Sequence, residues 1–344
     1  MSTLEQDWDR AVAVLLGAAE VALTCHVDPD GDALGSMLAL ERVLRLRGVR
    51  TSAAWGDAAN PGENGACAAG GRGSDRVPKR YLFLPGIEHV TSLEQFPRAP
   101  DVLVVFDCAS IDRVGTLRAG VEAAGCVIVV DHHGRGVPLG DIRLVDAHAA
   151  ATAVLVEELV RRMGAQLDRE IATCLYVGLV TDTGRFQYAS TTPAVMELGG
   201  RLIACGIDHA AINRQVWDSH SFGYVKALGR AMERAQVVPE AGLAWTAVWQ
   251  DDLAELGIAM DETEDLIDVL CGIDTTECTC VCKEQQGGEW KVSLRSKGRV
   301  DVGRIAVELG GGGHAVAAGF TTSGSLDDVV GAVVTRLIPG PARG

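Results

Sequence analysis

No apolar run in this 344-residue chain approaches the ~18 residues that a membrane-spanning helix requires, so no such helix is expected. The opening segment MSTLEQDWDRAV carries Glu5, Asp7 and Asp9 where a secretory leader would carry basic residues, so a cytoplasmic protein is expected. There is no Cys-x-x-Cys pair. The ten cysteines are scattered through apolar segments such as VALTCH and AGCVIVV, which predicts reduced core thiols in place of a disulfide framework. Cys278, Cys280 and Cys282 follow a period of two, which puts them on one face of a strand as buried packing. Positive charge is also scarce. With 31 Lys and Arg against 46 Asp and Glu the net charge is −15, which disfavours attraction to long nucleic acid. An anionic substrate would have to be captured locally, by metal ions and a few arginines.

What is present is a globular composition, 47% hydrophobic and 22% charged, at a length that suits two domains. Short β-rich apolar runs alternate with helical patterns in the first half. VALTCHV (21–27), a helix-like stretch (33–48), VLVVFD (102–107) and CVIVVD (126–131) predict a parallel sheet flanked by helices. Helical patterns dominate from Ala149 to Cys205, and a further helical stretch over 208–235 reads as a linker. Beyond it, GLAWTAVW, ECTCVCKEQ and WKVSLRS read as strands, and LDDVVGAVVTRL (326–337) as a closing helix. The expected organisation is an α/β domain over 1–207, the linker, and a smaller α/β domain over 236–340. A Gly/Ala-rich insertion at about 57–79 fits no packed element and reads as a mobile surface loop.

Three of the strand-like runs end on potential ligands: VALTC on His26, VLVVF on Asp107, and CVIVV on Asp131 followed by His132 and His133. In an open parallel sheet the carboxyl ends of the strands form the ligand-binding edge, so residues a hundred positions apart can converge there. After His26 the chain continues V-D-P-D-G-D, a tight loop opening a helix. Three acids and a histidine within seven positions exceed what a turn and a helix cap need, although Asp28 alone suits that role. Asp182 stands where a helical run breaks in LVTDTGRF, and by itself suits a turn as well as a ligand. Four aspartates and two histidines suffice for two ions. Mixed His and carboxylate ligation suits Mn²⁺, Mg²⁺ or Co²⁺, and a pair of such ions can generate a bridging hydroxide near neutral pH.

The segments HVDPDGDALGS, VFDCAS, VDHHG and LVTDTGRF resemble the four ordered motifs of the DHH phosphoesterases, with Asp131, His132 and His133 as the eponymous triplet. The resemblance implies two divalent ions, most simply Mn²⁺, with Mg²⁺ or Co²⁺ as alternatives. It assigns one ion to His26 and Asp30, the other to Asp32, His132 and Asp182, with Asp107 as bridge and catalytic carboxylate. It implies that Asp131 supports the histidines and that His133 faces the substrate phosphate. The run 292–320 is similar to a DHH-associated substrate-binding domain, with Gly311, Gly312, Gly313 and His314 as its signature and Arg295 as a further phosphate partner. Four glycines would let a phosphate approach bare N–H groups.

This combination resembles the stand-alone nano-RNase and pAp-phosphatase type. The implied substrates are very short oligonucleotides, linear or cyclic dinucleotides such as pApA, and 3′-phosphoadenosine 5′-phosphate, and a homodimer is implied as well. Inorganic pyrophosphatase activity and a non-catalytic nucleotide sensor are the rival readings. Arg113 and Arg185 are weighed as phosphate contacts against plain solvation; His314, or an aromatic such as Phe186 or Tyr188, could stack on the base, with Phe186 weighed equally as simple packing.

Overall fold

The computed structural model describes residues 3–57, 77–108, 110–133, 139–285 and 287–338, so the core of the Gly/Ala-rich insertion lies outside the described residues. The chain divides into one compact unit that runs to Ser219 and a second that begins at His220. The stretch read as a helical linker is two helices, and the division falls between them. No described helix is long and apolar enough to cross a membrane.

The first unit opens with α1 (Thr3–Gly17), β1 (Glu20–Cys25), α2 (Gly31–Leu46) and β2 (Arg50–Ala53). After the insertion come β3 (Val102–Phe106), the short α3 (Arg118–Glu122), β4 (Cys126–Asp131) and β5 (Ile142–Val145). It ends with α4 (Thr152–Arg162), α5 (Arg169–Asp182), α6 (Pro193–Ala204) and α7 (His209–Trp217). The five strands form one sheet in the order β2-β1-β3-β4-β5, with every pair parallel. The apolar runs are continuous because both faces are covered. Val21, Leu23, Val104, Phe106, Ile128 and Val130 face one core together with residues of α1, α2, α4 and α5. Ala22, Leu103, Val105, Val127 and Val129 face the other, with Phe96, Val114, Leu117 and Val121. The order of strands reverses between β1 and β3, and such a switch point opens a crevice at the carboxyl edge.

Helix α2 is buried along most of its length. Glycines at the crossing with α5 make that possible: a Cβ on Gly35 would lie 2.3 Å from the Cys174 carbonyl oxygen, and one on Gly31 would lie 2.6 Å from Thr181 Cγ2. Gly178 returns the favour from α5, since a Cβ there would fall 2.7 Å from Asp32 Oδ1.

The second unit contains α8 (Phe222–Glu233), β6 (Gln236–Val238), β7 (Leu243–Val248), α9 (Gln250–Leu256), α10 (Leu266–Cys271) and β8 (Cys278–Glu284). It closes with β9 (Glu289–Ser296), α11 (Val302–Glu308), β10 (Gly312–Gly313), β11 (Ala317–Ser323) and α12 (Leu326–Leu337). Its sheet, ordered β10-β11-β9-β8-β7-β6, is antiparallel except for the β7–β8 pair. One face, with Cys278, Cys280 and Cys282, Trp290 and Phe320, packs on α11 and α12. The other packs Ala244, Val248 and Val281 on α8, α9 and α10. The three cysteines are free and buried, as their period predicts.

Gly35→Ala is expected to destabilise the first unit by roughly 1–3 kcal/mol, because backbone cannot yield as a side chain can. Gly200→Ala, in α6 where no heavy atom lies within 4 Å of the new methyl, is expected to stabilise by about 0.5–1 kcal/mol. Urea unfolding of the full chain measures both, and a neutral Gly35→Ala would contradict the tight crossing.

Candidate metal centre

The carboxyl edge of the first sheet gathers the side chains that the sequence singles out. His26 follows β1, Asp107 follows β3, and His132 and His133 follow Asp131, the last residue of β4. The strands are in register there, with Cys25 beside Phe106 and Phe106 beside Val130, so the residues that follow are forced together. Asp30 and Asp32 enter from the start of α2, and Asp182 from the last position of α5.

His26 is buried, and its Nδ1 lies 2.7 Å from the Val27 carbonyl oxygen. A carbonyl only accepts, so Nδ1 carries the proton and the Nε2 lone pair is directed elsewhere. Nε2 lies 3.8 Å from Asp30 Oδ2 and 3.5 Å from Asp107 Oδ2. Arg113 Nη2, 3.2 Å from Nδ1, then acts on the ring through its charge and not as a hydrogen-bond donor. Asp30 is both helix cap and potential ligand. Its Oδ1 accepts from the N–H groups of Asp32 and Ala33, each at 3.0 Å, which leaves Oδ2 facing His26.

On the other side, His132 Nε2 lies 3.0 Å from Asp182 Oδ2, 3.4 Å from Asp107 Oδ1 and 3.9 Å from Asp32 Oδ2. The ligating atoms therefore form two cradles, His26 with Asp30 and Asp107, and Asp32 with His132 and Asp182, each set lying within 4.8 Å of one another. Asp107 turns one oxygen toward each. A third grouping of Asp107, Asp131 and His133 has a different use. Asp131 Oδ1 lies 2.7 Å from His133 Nδ1 and also accepts the His133 backbone N–H at 3.1 Å, so this carboxylate orients a ring. The support expected of Asp131 goes to His133, whereas His132 Nδ1 lies 3.2 Å from the Ala149 carbonyl oxygen.

Backbone strain gathers in the same motifs. Asp28, Asp107, Arg185 and Phe186 have left-handed φ values of 52°, 52°, 60° and 64°. Such residues cost of order 1–3 kcal/mol each and persist where surrounding structure over-determines them. Arg185 and Phe186 serve that loop: the Arg185 guanidinium sits 5.2 Å above the Trp217 ring, and Phe186 packs on Tyr176 at 6.4 Å and against Gly199. Phe186 thus has the packing partners that one of its two readings requires. Thr152, which sequence reasoning missed, donates to Asp107 Oδ1 at 3.0 Å. A single threonine at a helix start carries no signal of that kind.

In the second unit the glycine run has a packing explanation. A Cβ on Gly311 would lie 2.1 Å from the Gly319 carbonyl oxygen, and Gly313 combines φ 135° with a 2.5 Å approach to Ala318 Cα. These two glycines are required by the pairing of β10 with β11, so their presence alone is no evidence for phosphate; Gly312 faces open space. Arg295 shares its face of β9 with Lys291 and Ser293.

Electrostatics shows what the cluster lacks. Burial and Arg113 both push the His26 imidazole toward neutrality, yet hydrogen bonding to Asp107 and Asp30 outweighs them and raises its pKa to about 10. Burial likewise opposes charge on His132, but Asp182, Asp32 and Asp107 raise it to about 11. Burial raises Asp182 to about 6 and, with the charges of Asp182 and Asp107, drives Asp32 well above the carboxylate range. Asp107 is held low in spite of its burial, chiefly by His26. Protons on these groups balance the crowded negative charge. Four carboxylates carry the charge of two divalent cations, and the His and carboxylate donors suit Mn²⁺, Mg²⁺ or Co²⁺, so the residues fit such ions.

Cations would have to displace those protons. Affinity for Mn²⁺ is therefore expected to rise from about pH 6, where Asp182 titrates, toward about pH 10, where His26 does, with proton release on binding. Calorimetric titration in buffers of different ionisation enthalpy measures this, and pH-independent binding without proton release would contradict the geometry. Free cation at about a hundred times Kd should stabilise the fold by about 2.7 kcal/mol per ion.

Residues 20–179 match the DHH family, N-terminal domain, and residues 245–337 match the DHHA1 domain. The chain is 33% identical over 318 residues to the bifunctional oligoribonuclease and PAP phosphatase NrnA of Thermus thermophilus, covering 92% of this chain and 88% of that protein. It is 27% identical over 310 residues to the protein of the same description from Bacillus subtilis, with 87% and 88% covered. An exopolyphosphatase-related protein from Bacteroides fragilis has the same fold, with a TM-score of 0.84 over 97% of each chain at 23% identity. With both domains matched in order, and with 33% identity to a relative along nearly its whole length, the chain belongs to the DHH family and carries a DHHA1 domain.

Proposed function

We propose that this protein is a divalent-metal-dependent phosphoesterase that cleaves short oligonucleotides or dinucleotides such as pApA to mononucleotides, and 3′-phosphoadenosine 5′-phosphate to AMP. The observation that carries the reading is the pair of cradles sharing Asp107, one oxygen of which lies 3.5 Å from His26 Nε2 and the other 3.4 Å from His132 Nε2. His26, Asp30 and Asp107 would hold one ion, and Asp32, His132, Asp182 and Asp107 the other, with Mn²⁺ the first choice. When bound, two such ions supply Lewis-acid stabilisation to the phosphoryl oxygens and make water a competent nucleophile at neutral pH. The relatives described as oligoribonuclease and PAP phosphatase, matched along nearly their whole length, support the substrate class.

The chain's own groups do the rest. His133, its ring fixed by Asp131 at 2.7 Å, is assigned to the substrate phosphate. By accepting from Nδ1, Asp131 fixes the plane in which the His133 ring is presented. Arg295 and His314 are assigned to nucleotide capture, as charged donors on a unit whose overall charge gives no help. Gly311, Gly312 and Gly313 belong to this reading as the backbone next to His314, with Gly312 alone open on its Cβ side. A homodimer in the cytoplasm completes the proposal.

The test is a comparison, with Mn²⁺ present, of AMP release from pApA and from 3′-phosphoadenosine 5′-phosphate against phosphate release from pyrophosphate. AMP release is expected to dominate. Turnover of pyrophosphate alone, or ligand binding without turnover, would overturn the assignment. Asp107→Asn is expected to lower kcat by roughly 10²–10³-fold or more, since it removes the charge shared by both cradles. His314→Ala is expected to raise KM roughly tenfold to a hundredfold with metal content intact. Loss of metal in that variant, read by elemental analysis, would show that His314 is misassigned.

A further inference from the structure

Helix α4 begins without a cap of its own. Its N-cap residue is Ala151, which makes no side-chain capping bond, and alanine is among the poorest residues at that position. The missing acceptor arrives from another helix. The Thr152 N–H donates to Asp32 Oδ2 at 2.6 Å and the Ala153 N–H to Asp32 Oδ1 at 2.9 Å, so both oxygens of one carboxylate are tied to the first turn of α4. Oδ1 also accepts from the Ser36 hydroxyl at 3.4 Å, whereas Oδ2 retains a second lone-pair direction for a cation.

The Thr152 side chain adds a second tie. Thr152 is fully buried, and its hydroxyl donates to Asp107 Oδ1 at 3.0 Å. Rotation of a carboxylate about its last side-chain bond is soft, so an aspartate that serves two cradles needs something to hold its plane. A donor on Oδ1 does so: it leaves Oδ1 3.4 Å from His132 Nε2 and Oδ2 3.5 Å from His26 Nε2.

We propose that Thr152 is a positioning residue for the metal centre, locking Asp32 of α2 and the shared Asp107 into one arrangement so that Asp107 presents one oxygen to each cradle. The inference rests on the two-cation reading above. A threonine that merely satisfied its own burial would serve with any acceptor in reach; this one bonds to the carboxylate on which both cradles depend.

The experiment compares Thr152→Val, which keeps the shape and the backbone N–H while removing the hydroxyl, with Thr152→Ser, which keeps the hydroxyl. Co²⁺ binding to the full chain is followed by its visible absorption. Thr152→Val is expected to lose about 10–100-fold in cation affinity, and Thr152→Ser to bind as the parent does. At saturating metal, kcat on pApA should fall in the valine variant with KM little changed. A folded valine variant with parental affinity and spectrum overturns the inference. If that variant does not fold, Thr152→Ala against Thr152→Ser gives the same comparison, and equal affinities overturn it. A parent protein that binds no divalent cation sinks the two-cation reading itself. Two parental ions retained equally by all variants sink only the role of Thr152.

Discussion

Four carboxylates drawn to one edge of a sheet, two of them buried and a third half-buried, set a condition that the rest of the first unit is built to meet. At the separations found here each like-charge pair opposes its neighbour, and burial removes the water that would screen them. Relief comes only from positive charge at the same place. Protons on His26, His132 and the raised acids supply it. Divalent cations supply it better, because each can sit between several oxygens at once.

The scaffold answers that condition by bringing backbone unusually close. Gly35 and Gly178 let α2 and α5 approach until Asp32 and Asp182 face the same imidazole. The first turn of α4 donates to Asp32. Asp107 holds a left-handed backbone, which aspartate tolerates better than most residues, and donates its N–H to the Val130 carbonyl oxygen at 3.0 Å. Strand order adds the final element, since the reversal between β1 and β3 opens the crevice into which His26 and Asp107 project. Residues chosen for packing thereby position those that bear the chemistry.

The second unit shows the opposite relation between motif and role. Its glycine run reads in one dimension as a phosphate loop, yet Gly311 and Gly313 are demanded by the close pairing of β10 and β11. Whatever His314 contributes to capture is presented by a hairpin that would need those glycines in any case, and Arg295 stands on the adjacent strand β9. Motif and packing are compatible here, and only the packing is a property of the backbone alone.

How much was legible in advance follows from the range of the forces involved. The apolar runs of β1, β3 and β4, the helix of 326–337 and the period of Cys278, Cys280 and Cys282 are local patterns, and local patterns can be read from neighbouring residues. The same holds for ligand types at the strand ends, where the sequence placed His26, Asp107 and His132 at one edge. Tertiary structure alone decided the division of labour among the polar groups: that Asp131 serves His133, that Phe186 packs on Tyr176, that Asp32 caps a helix 120 positions away, and that Thr152 holds Asp107. A hydrogen bond acts over about 3 Å of space and is indifferent to separation along the chain. No periodicity records it, and only the folded backbone shows which donor finds which acceptor.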